Sequence, residues 1–401
     1  MTTPAAATSI TVAPADFPWY DPVGFTFSLG LRVGRDVWCS GHSGSARDPA
    51  TGRPGIRGGM ADQARIAYAK QTAVLAAAGL DLGHVTRVVE NVTVAGLPEY
   101  AEAERVRREL FGDRSPVVVT VVVDRLVRRT ALVEIEVHAA SEAKAEPTTK
   151  STAKPTERVS VEHNGSVLLP TLLPIDAHGS VVAPDDPARQ YAYCLARAAA
   201  LLDPLYGAHL VATTDFVTPT GQRAAHHLDR IRADLLGPVP PAGTRVLTTG
   251  QHRDGIHVAV EAVASRHTPL AVDPLGLADA LPGRSPAVRA GDLLYLSGFG
   301  PLADGAGDLR HQAESLYGTV LHTLAAVGAG PEHLLSTVEF VSADALPDYR
   351  AVADVRRAQL KEPYPVSTGI VCTRMAHPSA LLDVAAVAAV PAAASAVPGE
   401  A

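Results

Sequence analysis

Three acidic residues interrupt β-branched, strand-like stretches of the chain and are candidates for acid/base chemistry. The acids and their stretches are Glu90 in VTRVVENVTV, Asp215 in LVATTDFVT and Glu339 in LSTVEFVS. If it is buried, such a carboxylate must be paired or protonated. A tyrosine stands 22 residues before each acid: Tyr68, Tyr193 and Tyr317. We predict a tyrosine-to-carboxylate hydrogen bond in each stretch, as a structural pair or as part of a catalytic proton relay.

The spacing of these acids indicates an internal repeat. They are separated by 125 and 124 residues, and a proline lies 26 residues beyond each: Pro116, Pro241 and Pro365. A gap-free match of this kind predicts three copies of one structural unit. We place the units at residues 18–140, 158–265 and 284–391. Linkers are predicted at 141–157, which is rich in Pro, Thr, Lys and Glu, and at 266–283, which is rich in Pro and Gly.

Each copy shows the same order of local signals. A β-rich start such as LRVGRDVWCSGH predicts a hairpin, and an amphipathic stretch such as Ala61 to Ala78 predicts a helix that ends at Gly79. The acid-bearing strand follows, then a second helix and two closing strands. The pattern ββαβαββ predicts an α+β fold with the helices on one face of a mixed sheet.

Composition limits the classes of function. The net charge is −7, whereas a nucleic-acid-binding protein is expected to have a basic surface. No Lys or Arg precedes Arg32, and the apolar stretch from Val384 to Val397 is broken by Pro391, so neither a signal peptide nor a membrane span is expected. The three cysteines form no CxxC motif. We expect a cytoplasmic protein with a small-molecule substrate, no cofactor and no metal.

The motifs AVRAGDLLYLSG, TVEFVSADALPDY, YPVSTGIV and ALLDVAAVA, in this order, resemble the Rid family, also called YjgF/UK114. The resemblance covers the first and third copies and more weakly the second, where LLPTLLP replaces the strand end that contains SG. It implies chorismate-mutase-like units. Because family members are usually homotrimers with clefts between subunits, three copies imply an intramolecular pseudo-trimer, either monomeric or paired as a dimer of such rings.

The resemblance also implies chemistry, because well-understood members hydrolyse 2-imino or enamine acids to keto acids and ammonia. Their carboxylate-binding arginine corresponds here to Val118, Gly243 and Ser367, so no copy keeps it. Substitute anchors are Arg245, two residues past Gly243, and the matching pair Arg125 and Arg374. Ser367 itself is a candidate for substrate binding.

A glutamate that helps to place water in the family corresponds to Glu134, Ala259 and Asp383, so two copies keep an acid there. Such a carboxylate orients or deprotonates water, and burial adjusts its pKa. The resemblance places His42 at the end of a strand facing a cleft. The candidate catalytic residues are therefore the two acids of the last strand and the tyrosine–acid pairs of the first and third copies: Glu134, Asp383, Glu339, Tyr317, Glu90 and Tyr68.

Together these features predict a Rid-like enzyme acting on a small, carboxylated imine, enamine or enol metabolite. Hydrolytic deamination, tautomerisation and cyclisation remain open as reactions, and bacterial specialised metabolism is suggested by analogy alone. The alternative is a non-catalytic metabolite-binding or scaffold protein. Two other classes are disfavoured: a ribonuclease by the negative charge, and a serine hydrolase because Ser45 replaces the last glycine of the G-x-S-x-G pattern in SGHSGS.

Overall fold

The first part of the chain folds into a seven-stranded sheet covered by two long helices. The structure is a computed structural model that describes residues 7–142, 159–300 and 308–391, apart from positions 49, 113, 115, 162 and 163. The elements of this first unit are β1 (Thr8–Ser9), β2 (Gly30–Val33), β3 (Asp36–Cys39), β4 (His42–Ser43), β5 (Ser45–Arg47), β6 (Pro54–Ile56), α1 (Met60–Ala77), β7 (Val85–Thr93), α2 (Tyr100–Phe111), β8 (Val117–Val123), β9 (Arg125–Leu126) and β10 (Val133–Ala140).

The second unit has the smallest sheet of the three, with five strands. Its elements are β11 (Ser160–Val161), β12 (Ser166–Leu168), α3 (Pro187–Leu202), β13 (His209–Val217), α4 (Pro219–Arg223), α5 (Ala225–Leu235), β14 (Ala242–Leu247) and β15 (Val258–Ser265).

The third unit again has a larger sheet with two covering helices. Its elements are β16 (Leu270–Val272), β17 (Ala287–Ala290), β18 (Leu293–Leu296), α6 (Leu309–Ala326), β19 (Leu334–Ser342), α7 (Arg350–Gln359), β20 (Val366–Cys372) and β21 (Leu382–Ala389).

The three sheets share one strand order. It is β2-β3-β10-β7-β8 in the first unit, β11-β12-β15-β13-β14 in the second and β17-β18-β21-β19-β20 in the third. In each, the acid-bearing strand is antiparallel to the last strand and parallel to the closing strand that follows the second helix. The predicted α+β fold is therefore confirmed, and each long first helix packs its apolar face on its own sheet.

Of the two predicted linkers, the structure describes only the second in full. The linker at 141–157 lies outside the described residues from 143 onward, whereas 266–283 contributes β16, an edge strand paired with β17. Leu277 and Leu281 of this segment pack on the third core. Before residue 18, β1 pairs with β2. No helix among the described residues is long and apolar enough to cross a bilayer.

The sheets pack on one another through a shared apolar core. It contains side chains from all three sheets, including Val119, Phe216 and Phe340. The strand β9 leaves the first unit and pairs with β20 of the third. The predicted pseudo-trimer stays an interpretation of these contacts.

Asp124 connects all three units at the end of β8. Its Oδ1 accepts hydrogen bonds from the backbone N–H and the hydroxyl of Thr249, at 2.5 and 2.8 Å. Its Oδ2 accepts one from the backbone N–H of Thr373 at 2.8 Å. The three residues are separated by 125 and 124 positions, the repeat spacing itself.

Candidate functional site

Three interfaces join the units, and each places a closing strand against the hairpin end of another unit. Ser367 of the third unit donates its N–H to Ser40 Oγ of the first at 2.9 Å. Gly243 of the second unit donates to Ser297 Oγ of the third at 2.8 Å. Thr120 of the first unit donates to Thr171 Oγ1 of the second at 2.7 Å. We name them the first cleft, the second cleft and the third interface, respectively.

The second cleft contains a cavity of about 790 Å³, within the range of small-molecule sites. Asp383 of β21 lines it, and burial raises the pKa of this carboxyl to about 6, while Arg284 opposes the shift. Its Oδ1 has no hydrogen-bond partner among the described residues. At neutral pH this carboxylate is mostly ionised and able to accept a proton.

Two arginines line the same cavity. Arg245 extends from β14, and Arg284 lies just before β17. Both bond Asp229 Oδ1 through Nη2, at 2.5 Å from Arg245 and 3.5 Å from Arg284, so two guanidinium groups share one carboxylate. The Nε of each has no partner within the described part of the chain. This arrangement leaves positive charge and donors available to a carboxylated ligand.

The first cleft contains a smaller cavity of about 200 Å³ between the first and third units. Glu134 of β10 lines it, and burial, followed by the neighbouring Glu136, raises the pKa of Glu134 to about 8. Lys70 of α1 also lines it and is fully buried; burial lowers its pKa to about 7. The acid of this cleft is therefore mostly protonated at neutral pH, unlike Asp383.

Glycines make room for both acids. A Cβ on Gly41 would lie 2.6 Å from Glu134 Oε1, and one on Gly298 would lie 2.6 Å from Asp383 Oδ1. With a side chain at either position, the facing carboxylate would have to move. The glycine of the SG strand end, which carried part of the family resemblance, is thus the residue that lets a carboxylate enter the interface.

The third interface has neither the glycine nor the acid of the two clefts. The strand pairings align the two hairpin ends: Leu168 pairs with Val263 in the second unit, and Tyr295 pairs with Val387 in the third. Thr171 and Gly298 each lie three residues beyond these positions and therefore correspond to one another. Its hydroxyl accepts from the N–H of Thr120 and donates to the carbonyl of Thr120 at 2.9 Å. Ala259, in place of the acid, is fully buried in the shared core.

The repeated strand acids are paired with tyrosines and arginines. Tyr68 donates to Glu90 at 2.8 Å, and Tyr317 donates to Glu339, as predicted. In the second unit the prediction was wrong: Tyr191 donates to Asp215 at 3.0 Å, whereas Tyr193 donates to the carbonyl of Ile175.

Sequence reasoning missed the cations of these networks. Each strand acid forms an ion pair with an arginine of the following helix: Arg107, Arg232 and Arg356. These arginines repeat at the same spacings of 125 and 124, which is the signal that would have found them. Fully paired in this way, the acids have the contacts of buried structural ion pairs.

The structure brings together some of the predicted binding residues. His42 and Ser367 line the first cleft, and Arg245 lines the second. Arg125 instead belongs to β9, and Arg374 is exposed in the loop after β20; neither is among the described residues that line the two cavities. Arg128, three residues past Arg125, lines the first cleft, and Arg284 lines the second; neither had been singled out.

Comparison with known proteins gives a family match on two segments. Residues 23–141 and 279–390 match the family described as endoribonuclease L-PSP. No curated protein matches the chain. A chorismatase crystal structure shares the fold, with a TM-score of 0.51 at 14% identity, over 77% of this chain and 93% of that one.

Single-unit structures match smaller parts of the chain. The Rid protein YyfA from Yersinia pestis, described as of unknown function, is 23% identical over 34% of this chain and 99% of its own, with a TM-score of 0.28. TdcF from E. coli, solved with bound serine, is 28% identical over 28% of this chain and 87% of its own, with a TM-score of 0.25. With more than half of its length matched by the family model, the chain belongs to the endoribonuclease L-PSP family, that of the Rid (YjgF) proteins.

Proposed function

We propose that the protein is an enzyme acting on a small carboxylated imine, enamine or enol metabolite in the second cleft. The observation that carries this proposal is Asp383 Oδ1, which has no hydrogen-bond partner among the described residues, in a cavity that is also lined by Arg245 and Arg284. The arginines supply planar donors for a carboxylate, and the acid supplies a base at neutral pH.

Hydrolytic deamination is the reaction that this arrangement supports best. With the substrate carboxylate held by the arginines, Asp383 accepts a proton from water as the oxygen adds to the imine carbon. Asp383 passes this proton to the imine nitrogen and then transfers the hydroxyl proton of the carbinolamine to the same nitrogen. Ammonia leaves as the carbonyl forms, so that imine and water become keto acid and ammonia. Tautomerisation needs the same proton acceptor without the water, and the acid at this position serves both reactions.

A binding protein without turnover is the competing proposal, since the same arginines would hold a carboxylated metabolite. RNA is not the proposed substrate in spite of the family's descriptive name, because the net charge of −7 opposes binding to a polyanion.

The test is ammonia release from imines generated in situ by an amino-acid oxidase. The protein is expected to accelerate release, Asp383→Asn to lower kcat at least a hundredfold, and Arg284→Gln to raise KM. Asp344→Asn, an exposed acid in the turn after β19, is the matched control. Binding of carboxylated metabolites without accelerated turnover on any amino acid tried would favour the binding protein instead.

A further inference from the structure

Lys70 is an unusual residue for this chain. Only five of its 35 basic residues are lysines, at positions 70, 144, 150, 154 and 361. Lys70 is fully buried, whereas Lys361 is exposed. The corresponding residue on α6 of the third unit is Thr319. The first cleft thus holds an amine in a chain that otherwise relies on arginine.

The contacts of Lys70 aim its amine at the cavity wall. Nζ donates to the carbonyl of Ser43 at 2.7 Å and to Ser45 Oγ at 3.1 Å, and it lies 5.2 Å from the centre of the Tyr20 ring. No carboxylate forms an ion pair with it among the described residues. An amine held by neutral groups in a buried site loses its proton more readily than one in water.

The other groups around the cavity complement such an amine. Glu134 stands on the same side as Lys70, and across the interface Arg356 and Ser367 of the third unit line the cavity. The charged and titratable groups that face the amine from the packed elements are Tyr20, His42, Arg128, Glu134, Tyr349 and Arg356. The volume of about 200 Å³ is below the 300–1,000 Å³ usual for drug-sized ligands, so the occupant is small.

We propose that the first cleft is a second reactive site, in which Lys70 forms a Schiff base with a small 2-oxo acid. The 2-oxo carbonyl supplies the electrophile, and Arg356 with Arg128 supplies the donors for its carboxylate. The site is independent of Asp383, so its failure and that of the second cleft are distinguishable.

The reaction balances without an oxidant or reductant. The lone pair of Lys70 Nζ attacks the carbonyl carbon, and the carbonyl oxygen takes a proton from the Glu134 carboxylic acid. The nitrogen of the adduct returns a proton to Glu134, and Glu134 gives it to the hydroxyl group of the carbinolamine, which leaves as water while the nitrogen forms the C=N bond. Burial supports this order of events, because it raises the pKa of the Glu134 carboxyl and lowers that of the Lys70 amine. Both shifts favour the neutral acid and the free amine that the reaction needs.

The test is reductive trapping on the full chain. The protein is incubated with pyruvate and cyanoborohydride, digested, and each lysine-containing peptide is quantified by mass spectrometry. We expect Lys70 to be labelled at least tenfold faster than the exposed Lys361 near pH 7, and acetone, which has the carbonyl but no carboxylate, to label Lys70 more slowly. Glu134→Gln is expected to slow labelling of Lys70 at least tenfold and leave Lys361 unchanged.

The wild-type comparison needs no folded variant, because Lys361 is an internal control. Labelling of Lys70 that is equal to or slower than that of Lys361 would overturn the proposal, since it would make Lys70 only an anchor for the turn of Ser43 and Ser45. Equal labelling by acetone and pyruvate would overturn the assignment of a 2-oxo acid.

Discussion

The second cleft and the third interface are built from corresponding strands. The second cleft contains a cavity, whereas at the third interface the Thr171 hydroxyl bonds the backbone of Thr120. Gly298 and Asp383 in the second cleft stand where the third interface has Thr171 and Ala259. The two exchanges are complementary, because a side chain at the glycine position would force the acid to move. All three interfaces keep a direct hydrogen bond between units, and the two with a glycine at the strand end also place a carboxylate in a cavity.

The largest expected effect concerns the ion pairs behind the interfaces. Replacing Glu90 by glutamine leaves the partly exposed Arg107 with Glu104, at 3.8 Å, as its ion-pair partner among the described residues, and breaking the pair with the buried acid costs about 3 kcal/mol of unfolding free energy. Because Glu90 lies beside Thr120 at the third interface, the loss should appear in urea unfolding rather than in ammonia release. A loss of turnover in the folded fraction would return this acid to the catalytic relay that its sequence pattern left open.

A smaller effect is expected when the second cleft is given the residues of the third interface. In Gly298→Thr the new Cβ would lie 2.6 Å from Asp383 Oδ1 and 2.7 Å from Thr244 Cγ2, and overpacking of this kind costs about 1–3 kcal/mol. Binding of carboxylated metabolites to the second cleft should then be lost.

The double variant Gly298→Thr with Asp383→Ala tests the complementarity directly. Urea unfolding of the four members of the cycle should show the double variant to be more stable than Gly298→Thr alone, with a coupling energy of about 0.5–3 kcal/mol. Additive effects would mean that the glycine and the acid are unrelated.

The smallest expected effect is a pH dependence confined to the second cleft. Burial places the pKa of Asp383 at about 6, and a base must be ionised, so kcat/KM should level off above that pH and fall about tenfold per pH unit below it. The profile is measured from the initial rates of ammonia release. A rate that rises as the pH falls would show that this carboxyl acts in its protonated form.

The sequence predicted the fold well because the repeat spacing and the family motifs agree. The prediction of Tyr193 as the partner of Asp215 was wrong because the first helix of the second unit is shifted by two residues, relative to its strands, from the other two units. Gln190 bonds the backbone of His257, 67 residues later, whereas Gln63 and Gln312 bond residues 69 later. By this offset Leu195 takes the position of Tyr68, and Tyr191, one helical turn earlier, bonds the acid instead.

The composition of the clefts was harder to predict, for a physical reason. Asp383 and Glu134 lie on strands whose motif is local, so a pattern finds them. Lys70 lines a cavity that it shares with the third unit, and Arg284 bonds Asp229 of the second unit, and no local periodicity reports which residues meet across such boundaries. Arg284 directly follows the segment 266–283 that the composition marked as a linker, and it lines the larger cavity.

The junction at Asp124 has a consequence for how such a molecule assembles. One carboxylate meets two threonine donors there, and three identical subunits would instead bring together three like groups, either three anions or three hydroxyls. The junction therefore requires one unit that carries the acid and two that carry threonines, which three copies of one unit cannot supply. Separated units are expected to reassemble as mixed trimers rather than as trimers of one unit.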